Sequence, residues 1–149
     1  LQVNVGSLAL QKSDLDSAIK HFQRALELNP ANDKAISGMG MVYLGKKNLA
    51  KAHEQFVASL KINLNNLGAI YNLVKCAYEI RKFDESSDIL CRYIEVNPVN
   101  TNILYSYAGI LYHQHQYELA FTQVKKIMDS NPAHAGAKEL LDLIQAKLA

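Results

Sequence analysis

The stretch AIKHFQRALELNP, residues 18–30, returns in outline three times. It reappears as AHEQFVASLKINL at 52–64, SSDILCRYIEVNP at 86–98 and AFTQVKKIMDSNP at 120–132, always 34 residues after the last. A small residue opens each copy: Ala18, Ala52, Ser86 and Ala120. Four places on stands a large apolar one: Phe22, Phe56, Leu90 and Val124. Four further lie Leu26, Leu60, Ile94 and Met128. Each copy nears its end on an asparagine: Asn29, Asn63, Asn97 and Asn131. Pro30, Pro98 and Pro132 follow three of these, and Leu64 follows the other. Apolar residues recurring at three and four are a helical period. Self-similarity at a fixed period of 20–50 residues is the signature of stacked repeat units.

The period extends upstream of each copy. Leu15, Leu49, Phe83 and Tyr117 are large, while Gly6, Gly40, Val74 and Ala108 are small or nearly so. The polar segments Ser13-Asp14, Lys47-Asn48, Arg81-Lys82 and His115-Gln116 interrupt the helical pattern. Each unit therefore reads as a helix, a tight turn and a second helix. Asn29, Asn63, Asn97 and Asn131 are expected to take the left-handed conformation that ends a helix. Asn32, Asn66 and Asn100, also 34 apart, are expected to cap the helix that follows.

This pattern resembles the tetratricopeptide repeat. The resemblance rests on the period, on Met39-Gly40 with Tyr43, on Ala52 with Phe56, and on Ala18, Phe22, Ala25 and Pro30. Later units depart from it: Val74 stands for Gly, Tyr93 and Ile127 for a small residue, and Tyr78 and Tyr112 lie one place beyond the usual Tyr. The resemblance implies an all-α fold, a right-handed α-α superhelix (solenoid) of antiparallel helix pairs. It also implies that first helices line a concave face holding an extended peptide or a partner's helix. One domain over 1–149 is expected, with repeats 1–32, 33–66, 67–100 and 101–134 and a capping helix at 135–149. In that last helix Leu140, Leu141 and Ile144 should turn inward, with Lys138, Glu139, Asp142 and Lys147 in water. The start at Leu1, with no such cap before it, points to a longer parent chain.

Composition narrows the function classes. Hydrophobic residues are 49% and charged ones 20%, which argues against disorder. A net charge of +2 provides no electrostatic case for nucleic acid. Residues 96–117 carry no formal charge, but Asn97, Pro98, Asn100 and Asn102 make them unfit for a bilayer, so no membrane insertion is expected. Two cysteines and no glycosylation sequon fit a reducing, cytoplasmic setting. No Gly-rich phosphate loop, nucleophile elbow or paired catalytic carboxylates occur, so neither a catalytic residue nor a cofactor is expected. His113 and His115 read as two apart on a helix, pointing to different sides, and no metal site follows. His21, His53 and His134 read as surface residues, and Cys76 and Cys91 as small buried ones.

The binding face follows from a spacing of four then three on the first helices. It presents Val3, Ser7 and Leu10, then Ser37, Met41 and Leu44, then Tyr71, Lys75 and Tyr78, then Tyr105, Gly109 and Tyr112. The buried stripe is a different set: Ile70, Leu73, Val74 and Ala77, then Leu104, Tyr107, Ala108 and Leu111. Tyrosine enriched where charge is depleted is the composition of an interface core. Tyr78 and Tyr112 have a second reading, as displaced versions of the family's packing tyrosine. Asn4, Asn72 and Ser106 share a column with Gly38, a partial likeness to the asparagine ladder of O-linked N-acetylglucosamine transferases. Positions matching a chaperone-tail clamp hold Val3, Ser7, Gly38, Gly68 and Asn72 in one frame and Ser37, Met41, Asn72, Asn102 and Ser106 in the other, and neither has the paired cations a bound carboxylate needs. The candidate partner-binding residues are thus Met41, Tyr71, Asn72, Lys75, Tyr78, Asn102, Tyr105, Ser106 and Tyr112. The expected function is a protein-interaction scaffold for a protein or peptide partner. Two alternatives stay open: an accessory region of a larger enzyme such as a glycosyltransferase, and a self-associating structural unit. The latter draws on a charge of +4 over 1–75 against −2 over 76–149.

Overall fold

A computed structural model describes all 149 residues. The chain is all-α and divides into two compact units, Leu1–Lys82 and Phe83–Ala149. The first holds α1 (Gln2–Gln11), α2 (Leu15–Leu28), α3 (Asp33–Gly45), α4 (Leu49–Ile62) and α5 (Leu67–Ile80). The second holds α6 (Asp84–Val96), α7 (Thr101–His113), α8 (Tyr117–Ser130) and α9 (Ala135–Leu148). Within each unit consecutive helices pack on one another, as in α1 on α2, α3 on α4, α4 on α5, α7 on α8 and α8 on α9.

Four non-glycine residues hold a left-handed backbone: Ser13 (φ 60°), Lys47 (φ 58°), Arg81 (φ 55°) and His115 (φ 62°). They stand 34 apart. After each, the next backbone N–H reaches five residues back into the helix that has just ended. Asp14 N donates to Ala9 O (2.9 Å), Asn48 N to Tyr43 O (2.9 Å), Lys82 N to Ala77 O (3.0 Å) and Gln116 N to Leu111 O (2.9 Å). This is the Schellman closure, which satisfies carbonyls the helix leaves open.

The left-handed residue expected at Asn29, Asn63, Asn97 and Asn131 is not there. All four have strongly negative φ, −149°, −133°, −133° and −143°, and Asn29 and Asn63 are extended. A following proline disfavours helical backbone at Asn29, Asn97 and Asn131; Asn63, before Leu64, has negative φ as well. These asparagines shape the link instead. Asn29 Oδ1 accepts from Ala31 N (3.1 Å) and Asn63 Oδ1 from Asn65 N (3.0 Å). The capping asparagines are where the spacing puts them: Asn32, Asn66 and Asn100 accept from Ala35 N, Ala69 N and Ile103 N. Asp14 and Asn48 do the same for α2 and α4.

The small and large columns meet in the first unit's core. Phe22 is fully buried between two glycines. A Cβ at Gly6 would come within 2.7 Å of its ring, and one at Gly38 within 2.5 Å. Gly40 stands in the same relation to Phe56, at 2.7 Å. In the second unit Leu90, Leu104, Leu111, Val124, Ile127 and Ile144 fill the corresponding space. On α9, Leu140 and Ile144 are buried and Leu141 half-buried, while Lys138, Glu139, Asp142 and Lys147 are exposed. Cys76 is buried and Cys91 half-buried. His53 is not a surface residue: it is 1% exposed on the inner side of α4. His115 is not helical but the left-handed turn residue, hydrogen-bonded through Nδ1 to the Tyr117 hydroxyl at 2.7 Å.

Two substitutions test these contacts. Lys47→Gly removes the cost of a left-handed lysine and should stabilise the chain by roughly 0.5–1 kcal/mol in urea unfolding. Gly38→Val drives a side chain into the Phe22 ring and should cost about 1–3 kcal/mol. Adding Phe22→Leu should return part of that loss, because the two sites share one space.

Candidate functional site

In the first unit the faces of α1, α3 and α5 form a trough made of two clefts. One, of about 510 Å³, lies between α1 and the start of α3, and Asn63, Asn65 and Asn66 of the α4–α5 link close its side. The other, of about 480 Å³, lies toward the opposite ends of α1 and α3 and reaches Asn72 and Lys75 on α5. Leu10 and Met41 line both. Met41 is 39% exposed for a large apolar side chain. Ser7, Leu10, Ser37, Met41 and Leu44, all given by the four-then-three spacing, line the trough.

A hydrogen-bonded group at Asp33 shapes the asparagine side. Ser59 Oγ donates to Asp33 O (2.8 Å), and the side-chain amides of Asn63 and Asn66 donate to Asp33 Oδ2 (3.0 and 3.4 Å). The Asn66 amide also reaches Ser37 Oγ at 3.4 Å. The start of α3 is thus tied to the link that begins α5. Sequence reasoning passed over Asn63, Asn65 and Asn66 as groove residues. Their signal is the run Asn63-Leu64-Asn65-Asn66, where the link has no proline and carries an extra asparagine.

The predicted residues of this unit separate by position. Met41, Asn72 and Lys75 come together at the second cleft. Asn72 Nδ2 donates to Gly68 O of its own helix (2.9 Å). Tyr71 is 44% exposed and Tyr78 half-buried, and neither lines the two clefts.

In the second unit the α7 face carries Asn102, Tyr105, Ser106 and Tyr112. Asn102 is exposed and Ser106 half-buried. Tyr105 is 38% exposed, yet its ring leans on the start of α9. The ring centroid lies 5.1 Å from that of His134, and a Cβ at Gly136 would fall 2.9 Å from the Tyr105 hydroxyl. His134 is half-buried and occupies the column of Asn32, Asn66 and Asn100. Its Nδ1 accepts from Ala137 N at 3.0 Å and caps α9. His21 is likewise not on the open surface; it is half-buried, and its Nδ1 donates to Gln2 Oε1 at 2.7 Å. Tyr112 is half-buried, edge-on to Tyr117 at 5.5 Å. Tyr107 belongs to the core, where burial, with Cys91 beside it, pushes its hydroxyl above the usual range.

The fold is that of the tetratricopeptide-repeat proteins. The crystal structure of YrrB, described as a TPR protein with an unusual peptide-binding site, matches 97% of this chain and 75% of its own at 23% identity, with a TM-score of 0.80. The crystal structure of MamA matches 98% of this chain and 80% of its own at 20% identity, with a TM-score of 0.78. The family model for anaphase-promoting complex, cyclosome, subunit 3 matches residues 11–93, more than half of the sequence, and the chain belongs to that family. Among curated relatives, the peroxisomal targeting signal receptor of Saccharomyces cerevisiae is 26% identical over 102 residues, covering 68% of this chain and 17% of the receptor. The BBSome complex member BBS4 of Bos taurus is 29% identical over 105 residues, covering 68% of this chain and 20% of that protein. The chain thus spans a fifth or less of the length of these two relatives. No helix is long and apolar enough to cross a membrane.

The His134 cap has a direct test. His134→Ala should cost about 1 kcal/mol of unfolding free energy, and His134→Asn should keep most of it, because asparagine supplies the same acceptor. Circular dichroism during urea titration measures both.

Proposed function

We propose that this chain is a protein-interaction scaffold whose first-helix faces hold a peptide or helical segment of a partner protein. One observation carries this most: the trough over α1, α3 and α5, where Met41 stays exposed between two clefts lined with polar groups. Concave sites with an apolar floor and a few placed polar groups are the usual form of ligand sites. Along α3 from Lys34 to Gly45 the trough runs about 17 Å, room for roughly five residues of extended chain. The relatives support the same class: one is described as a targeting-signal receptor, others as members of multi-protein complexes, and YrrB as having a peptide-binding site.

In the first unit Met41, Tyr71, Asn72, Lys75 and Tyr78 are the contacts of this proposal, and in the second Asn102, Tyr105, Ser106 and Tyr112. Tyr71 and Tyr105 offer apolar area with a polar tip at low entropic cost. Residues 1–149 are taken as one repeat domain with a cytoplasmic setting, and binding rather than catalysis is their role.

The test is affinity capture from cell extract with the intact chain, the Met41→Arg variant and the Tyr105→Ala/Tyr112→Ala variant. Helicity of each variant is checked by circular dichroism. Proteins retained by the intact chain should be lost, or weakened by well over tenfold, in both variants. Retention unchanged by either would refute groove binding. Light scattering over a concentration series reports self-association separately.

A further inference from the structure

The two ends of the trough differ in charge chemistry. Its asparagine end carries one lysine, Lys34, next to Asp33, whose carboxylate is held by two amides. Its other end has an apolar floor of Leu10, Leu15, Met41 and Leu44. Four lysines lie at this cleft or next to its lining residues in the sequence. Lys75 lines the cleft itself. Lys12 adjoins its lining residue Ser13, and Lys46-Lys47 follow its lining residue Gly45. All four lysines are exposed. None has a carboxylate within 4 Å; the one ion pair of the unit is Arg24–Glu27, at 2.7 Å. The carboxylates nearest in sequence are Asp14, Asp16 and Glu79. Asp14 is committed to capping α2 through Ser17 N at 3.1 Å.

We propose that this end of the trough selects a partner segment in which a large apolar side chain stands among acidic side chains. The apolar residue would fill the cleft over Met41 and Leu44, and the carboxylates would meet Lys12, Lys46, Lys47 and Lys75. The proposal rests on reading the trough as the binding face and specifies what it binds. The cations are spread over two turns and a third helix rather than converging on one point. That distribution suits several side-chain carboxylates, not a single chain terminus. Charges of this kind raise the rate of encounter and discriminate partners, and their effect falls with salt.

Random heptapeptides displayed on phage, their C-termini fused to the coat protein, are selected on the intact chain. The enriched sequences are then made as fluorescent peptides, with amidated and with free C-termini, and titrated by anisotropy. Enriched sequences should carry a large apolar residue with two or more Asp or Glu within a few positions of it. Lys46→Glu/Lys75→Glu should lose at least tenfold affinity for them and gain affinity for the peptide with lysines in place of its acids. Binding should weaken severalfold between about 20 mM and about 300 mM salt. Enriched peptides without acidic bias, yet lost on Met41→Arg, overturn the acidic preference and leave the groove as the binding face. Binding that needs a free C-terminus also overturns it, in favour of terminal-carboxylate capture. Absence of enrichment, or binding indifferent to Met41→Arg, overturns both.

Discussion

The packing of an aromatic ring against bare backbone is what the first unit is built around. Phe22 lies between Gly6 and Gly38, closer to each than a Cβ would permit. Gly6 belongs to the helix that pairs with its own, and Gly38 to the helix that opens the next pair. One side chain therefore sets both the approach within a pair and the approach between pairs. A helix of this length is marginal alone, and each gains its stability by burying a face against the next. The trough follows from that arrangement. With α1 and α3 drawn together from behind, their front faces stand side by side, and Leu10 and Met41 become neighbours on the floor of both clefts.

Much of this was legible in the sequence because the period made it redundant. The small and large columns were visible as a period, and the structure pairs them as Phe22 on Gly6 and Phe56 on Gly40. The asparagines at 32, 66 and 100 are caps, as their place before a helix implied. The left-handed turns were harder to assign. Asparagine is the better left-handed residue by propensity, but a following proline disfavours helical backbone at three of the four, and Asn63 has negative φ without one. The burden falls on Ser13, Lys47, Arg81 and His115, which have no such preference and are held by the bonds around them. His53 defeated its reading for a related reason. A histidine among charged residues looks exposed, and only the direction of α4 places it inside.

The site was legible in its helices and less so in its emphasis. The spacing of four then three found the floor at Ser7, Leu10, Ser37, Met41 and Leu44. It could not see that the link at 63–66 folds against α3 and closes the trough, since that depends on the Asp33 hydrogen bonds. Tyr105 and Tyr112 both fall on the binding face by spacing, with a packing role as a second reading for Tyr112, and their neighbours differ. Tyr105 remains partly open above Gly136 and His134, while Tyr112 is half-buried against Tyr117. Such differences arise from side chains in another helix, which a one-dimensional period does not carry.

The most direct measurement is NMR of the isotopically labelled chain with a selected heptapeptide. For a scaffold that binds through the trough, the methyl signals of Leu10, Met41 and Leu44 and the side-chain amide of Asn72 shift together and saturate with one dissociation constant. Shifts confined to the outer faces of α2 and α4, with those four groups unmoved, would contradict it.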